Sequence, residues 1–354
     1  MSEMTSPALF VASLYNDGQR DRGFSYEYCN LYQPLARVVE SVQTFDFMQI
    51  AAEIGIARMN EQLLEAVKRE RPALTLVVPF TDELQAEVID EMSRHTTTVA
   101  YFFDDMWRLE YSQSLARHFT FVTTSDVKGV RRFHEAGLDN AVYSPFGCNH
   151  RIFQKQDLAK IYDVTFVGGY HPSRAWWLQQ VRDAGINVSV WGQGWGTGRV
   201  EQDDLVRIFN QSKINLNLSN SAEWDLRYVL TLKRPIRDTV RAWRNTARAW
   251  QGHDSKNREQ VKGRHFEINA CGGFQLSYYI EGLERHYRIG DEIALYASPD
   301  DLVETIRYYL KHDAERETIA RAGYERTSRE HTMERRFIDL CEQVGLGRLT
   351  TEPP

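Results

Sequence analysis

Short apolar runs alternate with stretches of helical periodicity from one end of the chain to the other. Runs at 8–14, 38–47, 74–78, 97–103 and 119–123 predict strands. Apolar residues at helical spacing predict helices over 59–69, 82–92 and 126–136, and a polar loop, 15–24, follows the first strand. The pattern restarts near Asp163. Strands are expected at 164–168, 188–191, 214–218, 274–279 and 293–296, with helices at 173–184, 203–210 and 263–271. Runs that stay apolar without alternating belong to strands covered on both faces, so these are βαβ units of parallel sheets. Two sets of about 150 residues each predict an α/β protein of two Rossmann-like domains facing across a cleft. Their boundaries are placed at 1–155 and 156–328, with 329–354 as a closing helical segment. Pro145, Gly147 and the charged run 155–160 put the linker within 146–162.

Composition narrows the class. The 354 residues are 42% apolar and contain no low-complexity tract, as in an ordinary globular protein. A formal charge of −6 argues against the whole molecule acting as a general polyanion binder. Cys29, Cys148, Cys271 and Cys341 are widely spaced with no Cys-x-x-Cys pair, so neither a zinc knuckle nor a redox dithiol is expected. The first residues lack the pattern of a signal peptide, and no apolar stretch approaches the ~20 residues of a membrane span. A cytoplasmic location is expected, with peripheral membrane association as a further option.

The densest chemistry lies in Gln260-Val-Lys-Gly-Arg-His-Phe-Glu-Ile-Asn-Ala-Cys-Gly-Gly-Phe274. A short helix is expected here, ending at the glycine pair. Lys262 and Arg264 at its start offer charge-assisted hydrogen bonds to phosphate, beside a helix end that favours anions. The Glu267 carboxylate is better suited to accept hydrogen bonds from sugar hydroxyls. One phosphate-directed end and one hydroxyl-directed carboxylate suit a nucleotide sugar. The alternative is a buried helix whose Glu pairs with a neighbouring Arg.

Glu259 and Glu267 enclose seven residues. This spacing, with Glu267-Ile-Asn-Ala-Cys-Gly272, resembles the Glu-x7-Glu element of GT-B glycosyltransferases of family 4. With Gly282-Leu283-Glu284 and His331-Thr332 downstream, the segment is similar to the CgeB-like, spore-maturation branch, over roughly residues 160–340. The first half departs, with Glu259-Gln-Val-Lys in place of Glu-Gly-Phe-Gly. The resemblance implies a GT-B fold: an acceptor-side first domain, a donor-side second domain and a C-terminal helix crossing back to the first. It implies a nucleotide-diphosphate sugar as donor substrate with no separate cofactor and no metal, a ribose-holding role for Glu267, and a catalytic candidate in Glu259.

Ligands bind beyond the carboxyl ends of strands in such sheets, so the loops after strands supply the other candidates. Gly168-Gly169-Tyr-His-Pro-Ser-Arg174 offers close backbone approach, a capping Ser173 and a phosphate-directed Arg174; a plain strand–turn–helix is the alternative. Gly192 and Trp195 of Trp-Gly-Gln-Gly-Trp suit base stacking or a tight turn over a buried indole. Arg22, Gly23 and Ser25 follow the first strand, where GT-B enzymes carry a loop near the donor phosphates. Asp104 and Asp105 follow the strand at 97–103. Adjacent side chains of an extended chain point to opposite faces, so both are not expected on one metal ion. One of them is the candidate for a hydroxyl contact or a base. Ser298 and Thr332 read as helix caps.

An insertion at about 226–258 carries nine basic side chains against two acidic ones. From 235 to 250 the apolar residues Ile236, Val240, Trp243, Ala247 and Trp250 form one stripe, flanked by Arg237, Arg241, Arg244 and Arg248. Such a helix packs on its own domain, lies on an anionic membrane, or grips a polyanion such as DNA. Taken together, the expected function is transfer of a sugar from a nucleotide-diphosphate sugar to an unidentified acceptor, with retention and without metal. A nucleotide-sugar epimerase and a non-catalytic sugar-nucleotide binding protein are the alternatives.

Overall fold

The computed structural model describes residues 7–103, 105, 108–219 and 259–347. Asp104 and the basic helix expected at 235–250 lie outside the described residues. The chain divides into two compact units, residues 1–149 with 332–354, and residues 150–331. Among the described residues no helix is long and apolar enough to cross a membrane.

In the first unit, β1 (Ala8–Ala12) is followed by a π-helical turn, Tyr28–Tyr32, running into α1 (Gln33–Val38). Then come β2 (Val42–Asp46), α2 (Phe47–Ile54), α3 (Ile56–Glu70), β3 (Leu74–Val77) and α4 (Ala86–Met92). The unit continues through β4 (Thr97–Ala100), α5 (Leu109–Ala116), β5 (Phe121–Thr124), α6 (Gly129–Glu135) and β6 (Ala141–Tyr143). The sheet is parallel with order β2-β1-β3-β4-β5-β6, as the uninterrupted apolar runs predict.

The strand expected at 38–47 is a composite. It spans the end of α1, all of β2 and the first residue of α2. The Asp46 carboxylate accepts the Gln49 N–H at 3.1 Å and so caps α2, and it also takes the Leu14 N–H at 3.2 Å. One side chain thus ends the strand, starts the helix and fixes the loop after β1.

Two cores cover this sheet. One joins Leu9, Val11 and Val77 to Phe47, Met59, Leu63 and Phe133; the other joins Phe10, Leu76 and Val99 to Leu35, Phe337 and Leu340. The second face is therefore closed by the last helix, Met333–Gln343. The Arg37 guanidinium lies 2.8 Å from Glu334, and the Met333 N–H donates to the Cys148 carbonyl at 2.8 Å.

The second unit contains β7 (Tyr162–Val167), α7 (Pro172–Asp183), β8 (Val188–Trp191), α8 (Gln202–Gln211), β9 (Ser212–Asn217) and α9 (Arg264–Ala270). It ends with β10 (Gln275–Tyr278), β11 (Ala294–Tyr296), α10 (Pro299–Tyr309) and α11 (Asp313–Glu330). Its sheet is also parallel, in the order β11-β10-β9-β7-β8. Strand order reverses between β1 and β3 in the first unit and between β7 and β9 in the second. These are the points at which open α/β sheets hold ligands.

Ser298 and Thr332 cap their helices as the sequence predicts, each hydroxyl accepting the N–H three residues on. Ser173 does not cap α7. His171 does: its Nδ1 accepts the Ser173 N–H, and Pro172 fills the first helical position.

Candidate active site

The second unit's reversal point is bridged by one side chain. Arg174, in the first turn of α7, donates from Nε to the Leu218 carbonyl beyond β9 and from Nη1 to the Gly169 carbonyl beyond β7, each at 2.9 Å. Burial lowers its pKa; the Glu259 carboxylate opposes that and the Arg264 charge adds to it. The guanidinium therefore sits in the joint field of Glu259 and Arg264.

The loops after β7 and β8 pack backbone to backbone here. A Cβ on Gly192 would lie 2.1 Å from the Gly168 oxygen, and Gly192 has φ +138°, so only glycine fits. Trp195 holds the same place. Its indole N–H donates to the Gly168 carbonyl at 2.9 Å, and its ring meets Tyr170 edge-on at 5.0 Å. The loop is a tight turn packed against the indole. Gly168 also leaves no room for a Cβ, which would approach the Phe166 ring to 2.8 Å.

The 260–274 motif forms the adjoining wall. The helix ends as expected: Gly272 has φ +65°, and a Cβ on Gly273 would lie 2.7 Å from Asn215 Nδ2. Glu267 is buried, and Arg264 Nη1 approaches its Oε2 to 2.8 Å, at an angle that makes a close ion pair rather than a hydrogen bond. Their i,i+3 spacing puts both on one helix face. Burial raises the Glu267 pKa and the Arg264 charge pulls it back down. The sequence reading directed Arg264 at phosphate and Glu267 at hydroxyls; in the structure the two are partners of each other. Arg264 also lies 5.1 Å from the Phe209 ring. Burial lowers the Lys262 pKa to about 8.

Two polar groups here escaped sequence reasoning. His265 is fully buried, with its pKa pushed down to about 4 by burial, so the ring is neutral. Its Nδ1 accepts the Lys262 N–H at 3.1 Å, while Nε2 is buried without a hydrogen-bond partner among the described residues. Ser219 Oγ, at the mouth of β9, is likewise buried without one among the described residues. Neither has a sequence signal, because a lone His or Ser near an apolar run is common.

The first-unit candidates are dispersed. Arg22 forms an exposed pair with Asp17 at 2.6 Å, and Gly23 closes that turn with φ +75°. The Ser25 hydroxyl donates to the Ser13 carbonyl at 2.7 Å and accepts the Tyr28 N–H at 3.0 Å, an internal cap. Asp105 is buried and accepts a hydrogen bond from the Thr124 hydroxyl. It lines a cavity of about 150 Å³ at this unit's reversal point.

Residues 174–342 match the model of the glycosyl transferase-like family. The spore protein CgeB of Bacillus subtilis (strain 168) is 24% identical over 232 residues, which cover 63% of this chain and 68% of CgeB. Sucrose-phosphate synthase from Thermosynechococcus elongatus aligns with a TM-score of 0.60 at 12% identity, over 96% of this chain and 99% of that one. Anabaena HepE, solved in complex with UDP-glucose, aligns with a TM-score of 0.57 at 11% identity over the same shares. The matched segment holds Arg174, Lys262, Arg264 and Glu267, and the chain, with a parallel Rossmann-like sheet in each unit, has the GT-B fold and is similar to glycosyltransferases over its second unit.

Proposed function

We propose that this glycosyltransferase takes its sugar from a nucleoside-diphosphate sugar, a UDP-sugar in the first instance, and passes it to a hydroxyl acceptor with retention and without a metal ion. The observation that carries the reading is Arg174 astride the second unit's reversal point, in the field of Glu259 and Arg264, with Arg264 paired to Glu267. HepE, of similar fold, was solved with UDP-glucose.

Arg174 and Lys262 neutralise the diphosphate as it leaves, which is the electrostatic help a departing anion needs. Glu267 accepts hydrogen bonds from the ribose hydroxyls, and the Arg264 charge favours its ionised form against the burial that raises its pKa. The backbone at Gly168 and Gly169 allows close approach of the donor. Arg174 and Arg264, each within the other's field, supply charge that a divalent ion supplies elsewhere.

Incubation with labelled UDP-sugars and a panel of hydroxyl acceptors tests the reading. Expected is an acceptor-dependent glycoside that keeps the donor's anomeric configuration by NMR, at a rate unchanged by excess EDTA. An inverted product removes the retaining assignment, and loss of activity restored by Mn²⁺ or Mg²⁺ removes metal independence. An epimerised donor formed without acceptor makes the protein an epimerase instead.

A further inference from the structure

Pro34 stands inside a continuous helical stretch. Tyr26 and Glu27, the π-helical turn Tyr28–Tyr32 and α1 follow one another without a break. A proline in a helix removes one backbone donor and crowds the carbonyl one turn earlier. The wider π turn relieves that crowding but leaves a carbonyl over. The Gln33 N–H donates to the Tyr28 carbonyl. In the same register the Cys29 carbonyl faces residue 34, the proline, which has no N–H to give.

Asn149 supplies the missing donor. Its Nδ2 gives a hydrogen bond to the Cys29 carbonyl at 2.6 Å and another to Gln33 Oε1 at 3.2 Å, while its Oδ1 accepts from Arg37 Nη1 at 3.1 Å. A carbonyl only accepts and a guanidinium only donates, so the amide has one orientation. Asn149 is fully buried, and it is the last residue of the first unit before the chain passes to the second. The start of the helical stretch is tied to the residues after β1. The Ser25 N–H donates to the Leu14 carbonyl at 2.9 Å and the Ser25 hydroxyl to the Ser13 carbonyl at 2.7 Å. Leaving the π register returns the Gln33 N–H to Cys29 and turns everything before it by roughly 100° about the helix axis. Ser25 is held and cannot follow. The aim of Glu27, which lines the cavity at this unit's reversal point, therefore depends on the register.

We infer that Asn149 is a positioning residue: by serving the Cys29 carbonyl it holds the π register, and through that register it supports turnover without taking part in donor binding. Its bearing on turnover rests on the transferase reading above, whereas the register rests on hydrogen bonds within the first unit.

Asn149→Asp tests it, because a carboxylate still accepts from Arg37 and no longer donates to Cys29. Hydrogen exchange read by mass spectrometry should quicken over residues 28–33. Turnover in the UDP-sugar assay above should fall about tenfold or more, with the UDP dissociation constant within about twofold of wild type. Pro34→Ala returns a backbone N–H to residue 34, so adding it to Asn149→Asp should restore slow exchange and most of the turnover. Arg37→Met removes the partner on the other side of Asn149 and the pair with Glu334. Its melting temperature should fall while turnover stays within about twofold of wild type. Full turnover in Asn149→Asp, UDP affinity lost in step with turnover, or a double variant without rescue overturns the inference. Should Asn149→Asp alone not fold, the double variant decides: it should fold and turn over, and failure in either overturns the inference. A wild type that turns over no UDP-sugar removes the transferase reading and the positioning role together, while the exchange rescue still decides the register.

Discussion

At the scale of single residues, the proposed donor site depends on who neutralises whom. Glu267 is buried next to Arg264, and a carboxylate hydrogen bond to a hydroxyl is worth about 1.5–3 kcal/mol. Glu267→Gln keeps the shape and removes the charge. It should weaken UDP by about 10- to 100-fold in calorimetry, with the fold retained by circular dichroism. Unchanged affinity would leave Glu267 a packing partner of Arg264 and nothing more. Lys262 gives a pH signature. With its pKa lowered to about 8 in the ligand-free protein, it is charged below that pH and increasingly neutral above it. A bound diphosphate favours the charged form. UDP affinity should therefore be flat below pH 8 and fall above it, by up to about tenfold per unit. The fall should vanish in Lys262→Gln, and a wild-type affinity that stays level to pH 10 contradicts the role. The sequence reading singled out these two residues by their types and spacing, at and just before the start of a short helix. His265 and Ser219 were not legible in the sequence. What singles them out is burial without a hydrogen-bond partner among the described residues, a property of the folded surroundings rather than of the local sequence.

Among elements, the loops rather than the strands decide the site. Apolar runs announced β1, β3, β4, β7 and β9, because strands covered on both faces leave an uninterrupted signal. Helices α2 and α5 were missed. The run through Val42 and Phe47 is apolar across three elements, and only the Asp46 cap divides it. Gly192 shows what a loop carries that propensity does not. Its need for glycine comes from the Gly168 carbonyl, 24 residues earlier, 2.1 Å from where a Cβ would stand. Gly192→Ala should force the loops after β7 and β8 apart. We expect a lower melting temperature and weakened UDP binding together, since Arg174 is tied to Gly169 in the same loop. Retained melting temperature and affinity would mean that the two loops do not form one rigid seat.

For the whole molecule, the chain closes its first unit with its last helix. Phe337 is fully buried against the face of the first sheet that also holds Phe10 and Leu76. Phe337→Ala should cost about 3–5 kcal/mol, read as a lower denaturation midpoint for the first unit. A change below about 1 kcal/mol would mean that the helix adds little to that core. The central claim concerns the other unit, where Arg174 crosses the strand reversal. The most direct test is calorimetric titration of UDP and uridine into wild type and Arg174→Ala. Wild type should prefer UDP to uridine, and Arg174→Ala should abolish most of that preference while uridine still binds. A wild type that binds no nucleoside diphosphate, or a preference for UDP that survives in Arg174→Ala, would contradict the assignment of this cluster to the donor diphosphate.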